Sequence, residues 1–382
     1  MIHRAGCTLA LLLALAGPGW AQAPGRAAVQ EASPAPEKPM ALRAETSVAL
    51  RGPVGRWGAP VVDDLNRRLY LPRGPGGLTV LGLDGFKPLA EVAETAGSVA
   101  VALDPETLRG FSANAAEPDE AARGITVFDQ RNFRPLGAIA VPGVRHIVYD
   151  AATKQVAAVS DEGSLTLIDP VKLAVTATLP LAGKRPTGLV ADRRGRVFVA
   201  LADRDAIVVV DMVSRQVATT WQPQGCRVPV ALVFDSFGQR LVAACRGAAV
   251  VPGTGGAPGT PGTDPAGVAI DPLSGRPVSA FSVPPAVDSV VHDARNRVLY
   301  FTSAATASVM AYRQVDAFRY TPLETVGSRP MAGLAAADPR TGRLILPVAE
   351  YVATPGRQDG GGGLRILPNS FALLVMKRLP ID

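Results

Sequence analysis

The chain is poor in the side chains that most enzymes use for metal binding and nucleophilic chemistry. Its 382 residues include only 3 histidines and 3 cysteines, and aromatic residues make up 5% of the chain. No His-Glu-x-x-His, Cys-x-x-Cys or Cys-x-x-Cys-His pattern occurs. This excludes the common zinc-protease motif and c-type haem attachment. No Gly-x-Ser-x-Gly elbow occurs either, which argues against an α/β-hydrolase.

Long apolar runs are also missing, apart from one at the N-terminus. The segment 9–16 (LALLLALA) follows His3 and Arg4 and is followed by the small-x-small tripeptide at 21–23. The run is shorter than the roughly 20 residues that span a bilayer. We therefore predict a signal peptide over residues 1–23, the alternative being an uncleaved anchor. The protein is then periplasmic or secreted, with no transmembrane segment in the mature chain.

Turn-forming and apolar residues, by contrast, are abundant. The chain has 39 glycines and 34 prolines, and apolar residues make up 47% of it. This composition predicts a real hydrophobic core divided by many turns. Residues 24–42, rich in Ala, Pro and Glu, read instead as a disordered leader. The net charge of +6 favours anionic partners.

From residue 43 onward the chain repeats a unit of about 40–45 residues. Each unit holds four short runs rich in Val, Leu and Thr, bounded by Asp, Gly or Pro, and such runs are typical of strands. The aspartate that ends the first run recurs as Asp64, Asp104, Asp150, Asp192, Asp235, Asp293 and Asp338. Seven four-stranded units predict an all-β fold, a seven-bladed β-propeller whose antiparallel blades surround a central channel. We assign residues 43–382 to it.

Closure of the ring requires the two ends of the propeller to meet. Segments 44–50 and 371–377 both read as fourth strands, and the sequence does not decide which of them completes the last blade. Segment 363–367 matches the third run of the seventh unit. We therefore expect one or both termini to enter the closing sheet.

Three segments resemble the YVTN-type repeats of bacterial seven-bladed propellers. They are residues 185–192, 205–211 and 297–301. The wider group includes quinoprotein amine dehydrogenases and lactonase-like, WD40-like propellers. The resemblance implies the fold and leaves the activity open, because such propellers host enzymes, electron-transfer partners and binding proteins. The Tyr-Val-Thr-Asn tetrapeptide itself does not occur.

In propellers of this kind the first strand of each blade lines the channel. The loops that lead into first strands share one face with the loops between second and third strands, and we call it the upper face. The loops into first strands carry a set of cations: Arg56, Arg145, Lys184, Arg185, Arg227 and Arg329. A ring of cations at the channel mouth would attract and grip a carboxylate or phosphate. The alternative is a set of separate solvated charges.

Two insertions and a cysteine pair also fall on the upper face. The Gly/Pro-rich segments 251–265 and 353–363 could form lids or be tolerated surface variation. A turn at 236–239 would place Cys245 opposite residue 229 and within reach of Cys226. In an oxidising compartment this predicts a disulfide, with a redox or metal pair as the alternative.

The two histidines of the mature chain lie in units on opposite sides of the ring. We expect structural or hydrogen-bonded roles for His146 and His292 rather than a shared metal site. Asp288 is the one acid among the basic loops that lead into first strands. It is either a salt-bridge partner or, together with His146 and Arg145, an acid/base group.

These observations favour a non-enzymatic scaffold. It would bind an anionic small molecule or a protein partner at the upper face, and we predict a monomer and no cofactor. A lactonase-type hydrolase using His146, Arg145 and Asp288 is the first alternative. An accessory subunit of a quinone-cofactor dehydrogenase is the second. Nucleic acid is less well supported as a partner, because interleaved aromatic residues are lacking.

Overall fold

The computed structural model describes residues 40–53, 55–115, 124–248, 262–354 and 363–380. Seven four-stranded antiparallel sheets surround a common axis, so the chain is a seven-bladed β-propeller, as the repeat predicts. The helical structure in these ranges is the 3₁₀ turn Ala202–Arg204. No helix there is long and apolar enough to cross a membrane. The predicted signal peptide and residues 24–39 lie outside the described ranges.

The first three blades follow chain order from the channel outward. Blade 1 contains β2 (Val61–Asp63), β3 (Arg68–Pro72), β4 (Leu78–Gly82) and β5 (Pro88–Val92). Blade 2 contains β6 (Ser98–Asp104), β7 (Arg109–Asn114), β8 (Gly124–Asp129) and β9 (Pro135–Ile139). Blade 3 contains β10 (Val144–Asp150), β11 (Gln155–Ser160), β12 (Ser164–Asp169) and β13 (Ala174–Pro180).

The next three blades repeat the same order. Blade 4 contains β14 (Pro186–Ala191), β15 (Arg196–Leu201), β16 (Ala206–Asp211) and β17 (Gln216–Trp221). Blade 5 contains β18 (Pro229–Asp235), β19 (Arg240–Cys245), β20 (Ala266–Ile270) and β21 (Pro277–Ser282). Blade 6 contains β22 (Ser289–Asp293), β23 (Val298–Ser303), β24 (Ser308–Gln314) and β25 (Tyr320–Gly327).

Blade 7 closes the ring with both ends of the propeller. Its order from the channel is β26 (Ala336–Asp338), β27 (Arg343–Val348), β30 (Ala372–Pro380) and β1 (Met40–Ala49). The N-terminal strand is thus the outer strand, as predicted for segment 44–50. It begins at Met40, within the segment 24–42 that the composition predicts to be a disordered leader.

Two predictions for blade 7 are wrong. Segment 371–377 belongs to the third strand and not the fourth, because β30 pairs with β27 on one side and β1 on the other. Segment 363–367 lies mostly in β29 (Gly363–Ile366), which pairs with β28 (Tyr351–Thr354) in a hairpin inserted after β27. A short apolar run that begins with glycine is compatible with both the inserted hairpin and the third strand of the blade. The core takes the longer run of β30, whose Leu373 and Val375 are fully buried.

The recurring aspartates cap turns on the face opposite the upper face, which we call the lower face. Asp235 is buried, and its Oδ1 accepts the backbone N–H groups of Phe237 at 3.0 Å and Gly238 at 2.9 Å. In blade 1 this position belongs to Asp63, which lies opposite Arg68 in the register of β2 and β3. The prediction of Asp64 is therefore wrong by one residue. Because two aspartates are adjacent, the pattern alone could not fix the register.

Arginines at the start of second strands tie each of several blades to the next. Arg109 donates to the carbonyl of Val171 at 2.8 Å, Arg196 to that of Pro272 at 2.7 Å, and Arg240 to that of Ala317 at 3.2 Å. Each acceptor lies in the turn before the outer strand of the following blade. The arginine at the start of these second strands is therefore a structural tie between blades, and its recurrence follows from that role.

The closing interface between blades 1 and 7 is held by ion pairs. The Arg67 guanidinium bonds both carboxylate oxygens of the buried Asp338 at 2.8 Å. It also forms ion pairs with Asp84 and Asp64. Asp64 forms a second ion pair, at 3.2 Å, with Arg340 of blade 7. Burial raises the pKa of Asp338, but the hydrogen bonds from Arg67 and Thr341 outweigh it and lower the pKa to about 2.

The predicted disulfide is confirmed. Cys226 and Cys245 are bonded, with 5.3 Å between their Cα atoms, and both are buried at the upper end of blade 5. The strand register places Cys245 opposite Pro229, as the turn position predicted. The bond joins the loop that leads into β18 to the end of β19, and so fixes one loop of the upper face.

Candidate anion-binding site

A cavity of about 710 Å³ opens at the upper end of the channel. Most of its wall is formed by the first strands of blades 1 to 4 and by the loops that lead into them. Much of that wall is apolar: Val61, Val99, Ala100, Val101, Ile147, Leu189 and Leu334. The repeat places small branched residues on these inner strands, and the channel therefore has room for a small molecule.

Three arginines enter this cavity from separate blades. Arg56 comes from the loop before β2, Arg145 from β10, and Arg185 from the loop before β14. One acid, Asp161, also lines it, and the Arg145 Nε atom lies 2.5 Å from the Asp161 Oδ2 atom. The other two arginines are exposed. The charged residues of the wall thus sum to a net charge of +2.

His146 also lies on the wall of this cavity. Burial among protein atoms lowers its pKa to about 4, against the opposing effect of a hydrogen bond that its ring donates to the Pro186 backbone carbonyl. The imidazole is therefore neutral at pH 7. It supplies hydrogen-bonding capacity to the cavity rather than charge, while Arg56 and Arg185 supply the charge.

The other three predicted cations do not line the cavity. Arg227 pairs with Asp205 at 2.9 Å, and the backbone N–H of Lys184 donates to Asp203 at 3.0 Å. Arg329 reaches Ser47 of the outer strand β1 at 3.3 Å. The predicted ring of six is therefore a cluster of three on one side of the mouth. Asp203 and Asp205, in and beside the 3₁₀ turn, accept the hydrogen bonds of the two loops that carry Lys184 and Arg227.

The structure does not bring Asp288 to His146. The Asp288 carboxylate accepts hydrogen bonds from the Arg246 guanidinium and, at 2.7 Å, from the Ala304 backbone N–H. It does not line the cavity that holds His146 and Arg145. Of the two interpretations of Asp288, the geometry supports the salt bridge. Arg246 directly follows Cys245 at the end of β19, and a cation at that upper-face position is the sequence feature that could have predicted its pairing with Asp288.

His292 lies at the opposite end of the channel, beside a second cavity of about 500 Å³. Its side chain is 2% exposed, and its Nε2 atom lies 3.2 Å from Gln314 Oε1 and 3.6 Å from Asp235 Oδ1. Burial lowers its pKa, against the opposing charge of Asp235. The described residues contain no group of three His, Cys, Asp or Glu side chains placed to hold a metal. Of the two predicted insertions, residues 249–261 and 355–362 lie outside the described ranges.

Comparison with known proteins defines the fold and not the family. No family model and no curated protein matches the sequence. The WD40 repeats of RRP9 superpose with a TM-score of 0.67 at 12% identity, covering 88% of this chain and 100% of that one. Hydrazine synthase of Kuenenia stuttgartiensis gives 0.61 at 12% identity, covering 83% and 97%. The Cps50 (Swd1) propeller of Myceliophteria thermophila gives 0.62 at 10% identity, covering 90% and 100%.

These superpositions support a β-propeller with WD40-like neighbours. Similarity at this level carries no information on ligand or activity, because unrelated functions share the fold. Membership of the YVTN-type family stays a prediction.

Proposed function

We propose that this protein is a binding scaffold whose upper channel mouth accepts an anionic group, either a free small molecule or an acidic group on a protein partner. The observation that carries the proposal is the convergence of Arg56, Arg145 and Arg185 on one largely apolar cavity. The N-terminal pattern and the disulfide support a periplasmic or secreted location.

The cavity fits a small ligand in size and in chemistry. Small-molecule sites commonly measure about 300–1,000 Å³ and combine apolar walls with a few placed polar groups. A guanidinium can donate two parallel hydrogen bonds to one carboxylate or phosphate. Apolar walls keep the local dielectric low, which strengthens that attraction relative to water. Arg56 and Arg185 form no ion pair within the described ranges, so they are free to meet a ligand.

The same geometry favours binding over hydrolysis. The predicted acid/base partner of His146, Asp288, is held by Arg246 elsewhere. The carboxylate that does lie in the cavity, Asp161, is paired with Arg145. A lactonase role therefore lacks the assembled carboxylate that its sequence rationale required. The dehydrogenase-subunit alternative rests on family resemblance alone.

A thermal-shift panel on the purified chain tests the proposal. The probes are inorganic phosphate, citrate and a phosphate monoester, with a neutral sugar and a lactone for comparison. A ligand at 100 times its Kd stabilises the folded state by about 2.7 kcal/mol. We expect a shift with at least one anion and none with the neutral sugar. No shift with any anion would contradict the small-molecule form of the proposal.

Two charge-matched double variants locate the site. Arg56→Gln with Arg185→Gln removes two cations from the cavity, whereas Lys184→Gln with Arg329→Gln removes two upper-face cations that lie outside it. We expect the first variant to weaken anion affinity at least about tenfold and the second to leave it nearly unchanged. Equal effects would reduce the site to overall charge. Lactone turnover by the unmodified chain would favour the hydrolase.

A further inference from the structure

Four consecutive blades present an exposed apolar side chain at the same position of the lower face. We call the turn between the third and fourth strands of a blade its outer turn, and the turn between the first and second strands its inner turn. Each of the four side chains follows the capping aspartate of its outer turn by two residues. The exposed fractions are 63% for Val171, 75% for Val213, 77% for Leu273 and 57% for Phe318. Single exposed apolar residues are ordinary on protein surfaces. Four at the same place in the turns of adjacent blades form an arc, which we call the apolar rim.

The rim covers one side of the lower face only. In blade 2 the same position, two residues after Asp129, is occupied by Arg131, and in blade 1 the equivalent position, two residues after Gly82, is occupied by Asp84, which pairs with Arg67. The inter-blade ties from Arg109, Arg196 and Arg240 end in the turns of blades 3, 5 and 6. The rim turns and the inner turns therefore lie on one common surface.

Exposed cations surround the rim, while most of the neighbouring aspartates are buried or cap turns; Asp316 is the more exposed one, at 42%, and pairs with Arg319. The exposed cations of these turns are Lys154, Lys172, Arg193, Arg194, Arg215, Arg276, Arg295, Arg297 and Arg319. The aspartates of the inner turns are buried in their capping roles: Asp150, Asp192, Asp235 and Asp293. The aspartates of the rim turns, such as Asp211, accept backbone N–H bonds from the turn they cap. Exposed cations therefore outnumber exposed acids around the apolar side chains.

We propose that the apolar rim docks on an anionic phospholipid surface. Four side chains on separate turns suit shallow insertion among lipid head groups, since each can enter the interface independently. The surrounding Lys and Arg side chains are placed to meet lipid phosphates, a contribution that grows with anionic lipid content. A protein partner would instead be expected to need a contiguous, closely packed apolar centre, which separate turn tips do not supply.

Vesicle sedimentation tests this proposal. Vesicles of phosphatidylcholine alone are compared with vesicles that contain about 30% phosphatidylglycerol. The rim variant replaces Val171, Val213, Leu273 and Phe318 with Ser. Its matched control replaces four exposed apolar residues of outer strands with Ser: Leu89, Leu136, Val175 and Val217. All three proteins share the same N-terminal segment, so any membrane affinity of that segment cancels.

We expect the wild type and the control variant to bind anionic vesicles alike and the rim variant to bind roughly tenfold or more weakly. Neutral vesicles should bind the wild type more weakly than anionic ones. Absence of wild-type binding would overturn the proposal, as would equal loss in both variants. If vesicles are not bound but an acidic protein is captured in a rim-dependent way, the surface belongs to a protein partner and the lipid proposal is wrong.

A site-specific probe separates insertion from general adsorption. Leu273→Trp places an indole on the rim, and Leu136→Trp places one on an outer strand at 47% exposure. We expect the emission of the first variant, and not of the second, to shift to shorter wavelength on anionic vesicles. Equal shifts, or no shift at the rim, would contradict docking through this face.

Discussion

The two ends of the channel use charge in opposite ways. At the lower end, aspartates and arginines recur at the same position of successive blades and are engaged in turn caps and inter-blade ties. At the upper end, Arg56, Arg145 and Arg185 enter one cavity from loops and strand starts that differ between blades. The comparison teaches that the caps and ties copied with the repeat maintain the fold, whereas the exposed Arg56 and Arg185 of the cavity are available to a ligand.

The largest effect should follow from breaking a lower-face tie at the ring closure. Arg67→Ala would leave the buried Asp338 carboxylate without its cation. Removing one partner of a buried ion pair costs about 3–5 kcal/mol, because the remaining charge is uncompensated. We expect urea denaturation to show a loss of that size in the free energy of unfolding.

Arg131→Ala is the matched control for this experiment. Arg131 pairs with Asp129 inside its own turn, and its side chain is 68% exposed. Exposed local pairs contribute about 1 kcal/mol or less. A comparable loss in both variants would contradict the special role of the closing interface.

The disulfide should give the next largest effect, and this one stabilises the upper face. Cys226→Ala with Cys245→Ala removes a bond that closes a loop of 19 residues in sequence separation. The chain-entropy model assigns about 3 kcal/mol to such a loop. We expect a loss of that size by denaturation, while the unmodified protein under reducing conditions moves toward the value of the variant. An unchanged free energy of unfolding would show that the upper loop needs no covalent restraint.

Acid should weaken the closing interface over a defined pH range. The folded-state pKa of Asp338 is about 2, below the ordinary value of 3.8. A lowered pKa contributes stability above the unfolded-state value, and that contribution is lost as the pH falls from about 4 toward 2. The stability that this lowered pKa contributes is about 2 kcal/mol. We expect the stability difference between the wild type and Arg67→Ala to shrink over this range; a constant difference would contradict the assignment.

The smallest effect should come from a single turn cap. Asp211→Ala removes an oxygen that accepts the N–H groups of Val213 and Ser214, both at 2.8 Å. Loss of a comparable cap costs about 1 kcal/mol. Glu162→Ala, at an exposed position in an upper-face turn, should change stability by less than about 0.5 kcal/mol. Thermal denaturation of the two variants would distinguish them, and equal values would remove the distinction between the faces.

The sequence predicted the fold well because the repeat is a local pattern. Strand length, turn residues and the spacing of aspartates are all readable along the chain, and they lead to seven blades and to the Cys226–Cys245 pair. Register within adjacent identical residues was not readable, and so Asp64 was chosen where Asp63 holds the position. The third strand of blade 7 was also predicted wrongly, because segments 363–367 and 371–377 both have the apolar pattern of a strand.

The candidate site could be predicted only in part. Its face and three of its arginines followed from the loops that lead into first strands. Which cations enter the cavity depends on acids in other loops, since Asp205 pairs with Arg227 and Asp203 accepts the Lys184 backbone N–H. Such contacts join positions about 20 residues apart in sequence and have no periodic pattern. The apolar rim was missed because each of its residues is unremarkable until the blades are assembled.

The most direct test of the account measures anion affinity and the free energy of unfolding on the same two variants. Arg56→Gln with Arg185→Gln should lose about tenfold or more in affinity by isothermal titration with the best anion of the panel, and keep its stability. Arg67→Ala should lose about 3–5 kcal/mol of stability, while its folded fraction keeps the wild-type affinity. If the cavity variant unfolds instead, or the tie variant loses affinity while folded, the division of charge between the two ends of the channel is wrong.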